Sequence, residues 1–152
     1  MKFQDTGYTI KQVQQQIHVA MEDALRPLSL SLSQYNVLKS LEASSLVTGA
    51  ELARKAFVTP QTMHTILTTM ERKELIVRTT ISGNTKSFNI SCTDKGKATL
   101  SNADQALAKL FDQANASLTS NEYDELEHLL TKLSSGLKVS NSSLGYKKSE
   151  PN

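Results

Sequence analysis

The spacing of apolar residues changes twice along this chain. Up to about residue 73, apolar residues recur every three or four positions, which is typical of helices that pack on one face. From Leu75 to Cys92, β-branched residues cluster and polar and apolar residues alternate on both sides of the turn-forming stretch Ser82–Thr85. Helical spacing returns after Thr93. The sequence therefore predicts a mainly α fold with one small, two-stranded β-hairpin.

Local start and stop signals divide the helical parts. Capping boxes, in which a Ser or Thr hydroxyl and a Glu or Gln side chain bond free backbone N–H groups, occur at Ser31-Leu32-Ser33-Gln34, Thr48-Gly49-Ala50-Glu51 and Thr119-Ser120-Asn121-Glu122. Thr59 precedes a proline at the first helical position, and Thr93 can cap a long fifth helix with apolar residues from Leu100 to Leu118. Pro27 stops the first helix. We expect six helices.

Composition favours one folded domain in a reducing compartment. The chain has 152 residues, of which 38% are hydrophobic, enough to bury a core. Its single cysteine, Cys92, cannot form an internal disulfide. Apolar runs stay far below the roughly 20 residues that a membrane-spanning helix needs, and no signal-peptide pattern opens the chain. We expect a cytoplasmic protein that does not interact with a membrane.

The charges are unevenly distributed. Between Lys39 and Lys97 there are nine Lys or Arg residues against five Asp or Glu, whereas Ala98 to Leu137 has two against six. Clustered basic residues create the field that attracts phosphates, although a solvated surface with uneven charge is the more frequent explanation. The basic middle is therefore compatible with a nucleic-acid partner but does not establish one.

Several short segments occur in the order and spacing of one known family. They are Leu30 to Leu38, Thr48-x-x-Glu51-Leu52-Ala53, Thr62-Met63, Leu75 to Arg78, Cys92-Thr93-Asp94-Lys95-Gly96 and the helix start at Leu118-Thr119. From about Ile10 to Lys138 the chain resembles the MarR family of bacterial transcriptional regulators. Two features depart from the family pattern: the hairpin has Asn84 and Lys86 where Asp and Arg are common, and Glu74 stands where glycine is usual.

The resemblance implies a winged helix-turn-helix DNA-binding core flanked by N- and C-terminal dimerisation helices. Residues 31–92 form the core in this interpretation, residues 8–28 and 94–137 the helices of a homodimer, and residues 138–152, rich in Ser, Lys and Asn, a flexible tail. In such folds the second helix of the helix-turn-helix enters the major groove of double-stranded DNA. The family also implies a repressor, released by a small aromatic effector bound between the dimer helices and the winged domain.

The fourth helix carries a polar face opposite the apolar stripe of Met63, Ile66, Leu67 and Met70. Gln can pair with adenine and Thr can contact the thymine methyl group, and this helix has no Lys or Arg before Arg72. We therefore predict an A·T-rich pseudo-palindromic site, with phosphate contacts from other segments. The predicted DNA-binding residues are Lys39, Arg54, Lys55, Thr59, Gln61, Thr62, His64, Thr65, Thr68, Arg78, Thr85 and Lys86.

The first helix and the last two helices have long apolar stripes that a small DNA-binding core does not need. We expect these stripes to meet across a two-fold axis in the dimer. The predicted dimerisation residues are Ile10, Val13, Ile17, Leu107, Leu110, Leu118, Leu126, Leu129, Leu130 and Leu133.

Other function classes receive less support. A winged-helix module that binds proteins and not DNA is the main alternative, because the fourth helix is uncharged over most of its length. A thiol-based redox-sensing regulator would use Cys92, but that residue takes an apolar position, which favours a buried, unreactive thiol. The three histidines, His18, His64 and His128, lie on different elements without metal-ligand spacing. We find no catalytic motif and expect neither an enzyme nor a cofactor or metal.

Overall fold

The computed structural model describes residues 2–43, 47–56, 58–81 and 84–143; of residues 2, 3, 81, 84–87 and 138–143 it describes only the backbone. The helices are α1 (Lys2–Leu25), α2 (Leu32–Ala43), α3 (Gly49–Lys55), α4 (Pro60–Arg72), α5 (Asp94–Asn115) and α6 (Ser120–Ser143), with a short 3-10 turn at Arg26–Leu28. The strands are β1 (Val47–Thr48), β2 (Ile76–Ile81) and β3 (Asn84–Cys92). The chain is mainly α with a small sheet, which confirms the predicted fold class.

The helix starts follow the capping boxes read from the sequence. Thr48 Oγ1 accepts a hydrogen bond from the N–H of Glu51 at 3.3 Å, and the N–H of Thr48 donates to Glu51 Oε2 at 2.8 Å. The equivalent bonds at the start of α6, between Thr119 and Glu122, measure 3.4 and 2.8 Å. These backbone hydrogen bonds stabilise the ionised side chains and lower the pKa of both carboxyl groups. The predicted starts of α2, α3 and α6 are thus confirmed.

The sheet has three strands in the described residues, not the two predicted. β3 lies in the middle and pairs antiparallel with β2 on one side and β1 on the other, with Val47 opposite Ile90. The prediction missed β1 because two residues directly before a helix cap are too few to show an alternating pattern. Of the predicted turn Ser82–Thr85, Ser82 and Gly83 lie outside the described residues, whereas Asn84 and Thr85 belong to β3 and not to the turn.

Three helix ends differ from the sequence prediction. α1 begins at Lys2 and not at residue 8, and the short 3-10 turn follows it. α5 ends at Asn115, so Leu118 lies in the turn before α6 and not on α5 as predicted, because the capping box at Thr119 starts a new helix immediately. α6 continues to Ser143, beyond residue 137, since no proline interrupts it. The remainder of the predicted tail, residues 144–152, lies outside the described part.

The chain divides into two compact units, residues 1–110 and 111–152. The core of the first unit gathers side chains from α1 through α5, and its largest fully buried members are Leu25, Leu38, Leu52, Met63, Met70, Ile76 and Ile90. The apolar stripe of α4 packs into this core as predicted, with Met63, Leu67 and Met70 buried and Ile66 partly buried. One face of α4 is therefore buried in the core, and the opposite face is exposed to solvent, where it can contact a partner.

A tight junction joins α4 to β2 and β3 to α5. Glu74, which follows α4, has a φ of 61°, the left-handed conformation that the usual glycine adopts easily. Thr93 Oγ1 donates to the carbonyl of Glu74 at 2.7 Å and accepts from the N–H of Gly96 at 2.9 Å. A Cβ atom on Gly96 would lie 2.1 Å from the carbonyl oxygen of Leu75, so only glycine fits there. This junction positions the two-stranded hairpin β2–β3 beside the end of α4.

Candidate nucleic-acid interface

The exposed face of α4 presents the side chains predicted to contact bases. Gln61, Thr62, His64, Thr65 and Thr68 are all exposed. The hydroxyl of Thr65 donates to the carbonyl of Gln61 at 3.2 Å, so its oxygen remains an acceptor and its methyl group remains available for apolar contact. The structure thus brings these five predicted residues together on one solvent-facing surface.

Thr59 fixes the start of this helix. Its Oγ1 accepts from the N–H of Thr62 at 3.1 Å and lies 2.9 Å from the hydroxyl oxygen of Thr62. Pro60 occupies the first helical position, where its missing N–H costs no hydrogen bond. Thr59 therefore serves first as a helix cap, which orients the first turn of α4.

Arg78, a predicted phosphate contact, is paired with two side chains of its own chain. Its Nη2 donates to Thr68 Oγ1 at 3.0 Å, and its Nε lies 3.2 Å from Glu71 Oε2. The Nε contact is an ion pair without hydrogen-bond geometry, since this buried atom has no hydrogen-bond partner among the described residues. The Arg78 side chain is only 14% exposed. It braces β2 against α4 and presents little charge to the outside. Glu71 and Arg78 lie on different elements, α4 and β2, so neither helical nor strand periodicity predicts this pair.

Lys39 is also paired with carboxylates of its own chain. Its ammonium lies 2.7 Å from Glu42 Oε2 and 3.2 Å from Asp104 Oδ2, and these hydrogen bonds raise its pKa to about 12. The hydroxyl of Tyr35 donates to Asp104 Oδ1 at 2.8 Å. Burial, followed by the hydrogen bond to Asp104, raises the pKa of Tyr35 to about 12. This network joins α2 to α5 and occupies the Lys39 ammonium with two carboxylates of its own chain.

The remaining predicted phosphate contacts lie on two other segments. Arg54 and Lys55 occupy the last turn of α3 and are exposed. Thr85 and Lys86 lie on β3, but their side chains fall outside the described part of the chain. Arg54 and Lys55 therefore remain as predicted phosphate contacts with exposed side chains, and they lie shortly before α4 in the sequence.

A cavity of about 310 Å³ lies beside the exposed face of α4. His64 and Arg78 line it together with the half-exposed aromatic ring of Phe88 on β3. Sequence reasoning did not single out Phe88, because an aromatic residue in a strand looks like a core residue. The cavity makes the surface between α4 and the hairpin concave.

The predicted dimerisation residues fall into two groups. Leu107 is only 4% exposed and belongs to the core of its own chain, so the prediction that it contacts a partner was wrong. A stripe of apolar residues does not by itself tell a core contact from an intermolecular one. Leu110 and Leu133 are half-buried. The other predicted residues are exposed apolar side chains: Ile10, Val13, Ile17, Leu118, Leu126, Leu129 and Leu130.

Cys92 is half-buried beside the α4–β2 junction. Its Sγ donates to the carbonyl of Leu75 at 3.7 Å, and burial raises the pKa of the thiol. A raised pKa lowers the fraction of reactive thiolate at neutral pH.

No group of three metal-binding side chains occurs among the described residues. Within the same part of the chain, no helix is long and apolar enough to cross a membrane.

Comparison with known proteins identifies the family. The MarR family profile matches residues 30–88. The HTH-type transcriptional repressor Rv2887 of Mycobacterium tuberculosis is 31% identical over 129 residues, which covers 85% of this chain and 93% of that protein. This chain belongs to the MarR family. The resemblance seen in the short sequence motifs is thereby confirmed over most of the chain.

Solved structures of MarR-family relatives share the fold. The crystal structure of the Mycobacterium tuberculosis MarR family protein Rv2887 in complex with DNA matches with a TM-score of 0.72 and 30% identity, covering 84% of this chain and 95% of that one. The organohalide-sensing transcriptional regulator RdhR-CbdbA1625, in its 2,4-dichlorophenol-bound form, matches with a TM-score of 0.76 and 28% identity, covering 88% and 79%. The winged helix-turn-helix core predicted for this MarR-family chain is confirmed.

Proposed function

We propose that this MarR-family protein is a homodimeric transcriptional repressor that binds double-stranded DNA. The observation that carries the proposal is the arrangement of α4, whose apolar face is buried and whose opposite face exposes Gln61, Thr62, His64, Thr65 and Thr68. A helix held in this way, beside a hairpin, is the usual reader of a major groove. The crystal structure of its relative Rv2887 in complex with DNA supports DNA binding by this chain.

The residues of α4 favour A·T base pairs. Gln61 can form two hydrogen bonds with adenine, and the threonine methyl groups can pack against thymine. The helix has no Arg in its first turns to pair with guanine. We infer an A·T-rich, pseudo-palindromic operator whose half-sites are about 10 base pairs apart, with Arg54, Lys55 and Lys86 placed to contact phosphates.

The apolar rows on α1 and α6 support a homodimer. On α1, Ile10, Val13 and Ile17 are 37%, 46% and 43% exposed. On α6, Leu126 and Leu129 are 45% and 53% exposed. Monomeric proteins rarely leave such rows in water, because covering apolar surface is favourable. A second copy of the same chain supplies the matching rows.

A small aromatic effector completes the proposal. A cavity of about 460 Å³ lies between α2, β3 and α5, and Leu41, Cys92 and Leu100 give it an apolar floor with Lys97 and Glu42 nearby. This volume suits a small ligand. The phenol bound to RdhR-CbdbA1625 makes chlorinated phenols the first compounds to test. As a regulator of transcription in a bacterial cell, the protein would work in the cytoplasm.

Selection of bound fragments from genomic DNA, followed by a salt titration on the selected site, tests the proposal. We expect one A·T-rich pseudo-palindrome and a steep loss of affinity with salt, because each neutralised phosphate releases counterions. Absence of an enriched motif, together with weak binding to any duplex at low salt, would instead support a winged-helix module that binds proteins. The uncharged first turns of α4 and the internally paired Lys39 and Arg78 are the observations that favour this alternative.

A further inference from the structure

One side chain connects the end of α4 to the turn between α1 and α2. Lys73 is the C-cap residue of α4, directly before the left-handed Glu74. Its Nζ donates to the carbonyl of Ser29 at 2.6 Å and to Gln34 Oε1 at 3.1 Å. Ser29 lies 44 positions earlier in the chain. The proposed DNA-reading helix is thus fastened at its C-terminus to the segment where α1 ends.

Both acceptors are themselves held in place. Ser29 adopts the left-handed conformation, with a φ of 52°. Gln34 is only 7% exposed, and its Oε1 also accepts from the N–H of Ser31 at 3.4 Å, within the capping box of α2. The N–H of Leu32 donates to Glu22 Oε1 of α1 at 3.0 Å, which ties the start of α2 to α1. Lys73 therefore binds to a junction that is itself hydrogen-bonded to the last turn of α1.

The contact depends on a charged donor and two neutral acceptors. Among the described residues, no carboxylate lies within ion-pair distance of the Lys73 ammonium. The carboxylate of Glu22 lines the same small cavity as Lys73, together with Arg26, but forms no ion pair with Lys73. Hydrogen bonds from an ammonium to carbonyl and amide oxygens are directional and stronger than neutral ones. A neutral side chain of similar length fills the same space but donates no hydrogen bond.

We propose that Lys73 is a positioning residue for DNA recognition, which sets the angle of α4 relative to α1. The inference rests on the proposed function, since α1 carries the apolar row that a second copy would cover. In that dimer the angle between α4 and α1 determines the distance between the two recognition helices. Lys73 would thereby govern the half-site spacing that the dimer accepts, without touching DNA.

The test compares operators that differ only in spacing. Dissociation constants are measured for the selected site and for versions with one base pair inserted or removed between the half-sites. We expect wild type to discriminate between them, and Lys73→Met to reduce this discrimination by roughly 2- to 30-fold, the range seen for residues that couple two elements. Lys73→Arg keeps donors that can reach both acceptors and should retain it. Lys109→Met removes an exposed charge on α5 and serves as the matched control.

The outcomes separate this inference from the function on which it rests. If wild type binds no specific site, the proposed function fails. If wild type discriminates between spacings and Lys73→Met discriminates equally well, only the role of Lys73 is refuted. Loss of discrimination in Lys73→Arg as well would also overturn the inference, because that variant retains the hydrogen-bond donors. Thermal unfolding of each variant shows whether a change in spacing preference occurs in a folded protein.

Discussion

Gly96→Ala should strongly destabilise the winged-helix unit. The new Cβ would lie 2.1 Å from the carbonyl oxygen of Leu75 and 2.6 Å from Cys92 Sγ, so the backbone of the junction must move. Overpacking of this kind costs about 1 to 3 kcal/mol. The same movement would strain two junction hydrogen bonds, from Thr93 N–H to the Leu75 carbonyl and from Gly96 N–H to Thr93 Oγ1, each worth about 1 kcal/mol.

Because alanine has a better helix propensity than glycine, it offsets about 1 kcal/mol of this cost, so the free energy of unfolding should fall by about 3 kcal/mol. For a unit of this size that corresponds to a fall in Tm of roughly 10 °C or more. Circular dichroism during thermal unfolding measures the effect. The matched control is Gly7→Ala on α1, where the added Cβ meets no other segment of the described residues within 4 Å and stability should rise slightly or stay constant. A Gly96→Ala protein within 1 kcal/mol of wild type would refute the packing argument.

Four further substitutions test the proposed dimer, the buried thiol and the left-handed residue after α4. Leu129→Glu, at a 53% exposed position, should give a folded monomer in sedimentation at micromolar concentration. Leu107→Glu, at a 4% exposed position, should instead unfold the chain. A monomeric wild type would contradict the proposed dimer. Cys92→Ser should leave any peroxide response of DNA binding unchanged, because burial raises the pKa of the thiol; a response abolished by the substitution would make Cys92 a redox switch. Glu74→Gly should raise stability by up to about 1 kcal/mol, because it relieves a φ of 61° and gives up only an exposed ion pair with Lys95; a lower Tm would show that the side chain matters.

Features governed by neighbouring residues could be predicted from the sequence. The capping box at Thr48 and Glu51 acts over a single turn, so its residue types suffice to place the start of α3. The buried stripe of α4 follows in the same way from helical periodicity, and its opposite face then gives the candidate base-reading residues.

Features that depend on partners far along the chain could not be predicted. Lys39 looked like a free surface charge until the structure placed it against Asp104, 65 positions later. Arg78 did so too, because its partner Glu71 lies on a different element, across the turn from α4 to β2. Leu107 belongs to a stripe that continues to an exposed surface, and only the packed fold shows that this position is core. The sequence pattern therefore predicts the exposed polar face of α4 correctly but overestimates the number of unpaired basic residues around it.

The role of α4 is tested most directly by the base preference of Gln61→Ala. Dissociation constants are measured for the selected operator and for a set of operators with each base pair changed in turn, using wild type, Gln61→Ala and the exposed-glutamine control Gln113→Ala on α5. We expect Gln61→Ala to lose about 1 to 3 kcal/mol on the preferred site and its preference at one position in each half-site, with non-specific binding nearly unchanged. Gln113→Ala should behave like wild type. A Gln61→Ala protein that retains the full base preference of wild type would contradict the placement of α4 in the major groove.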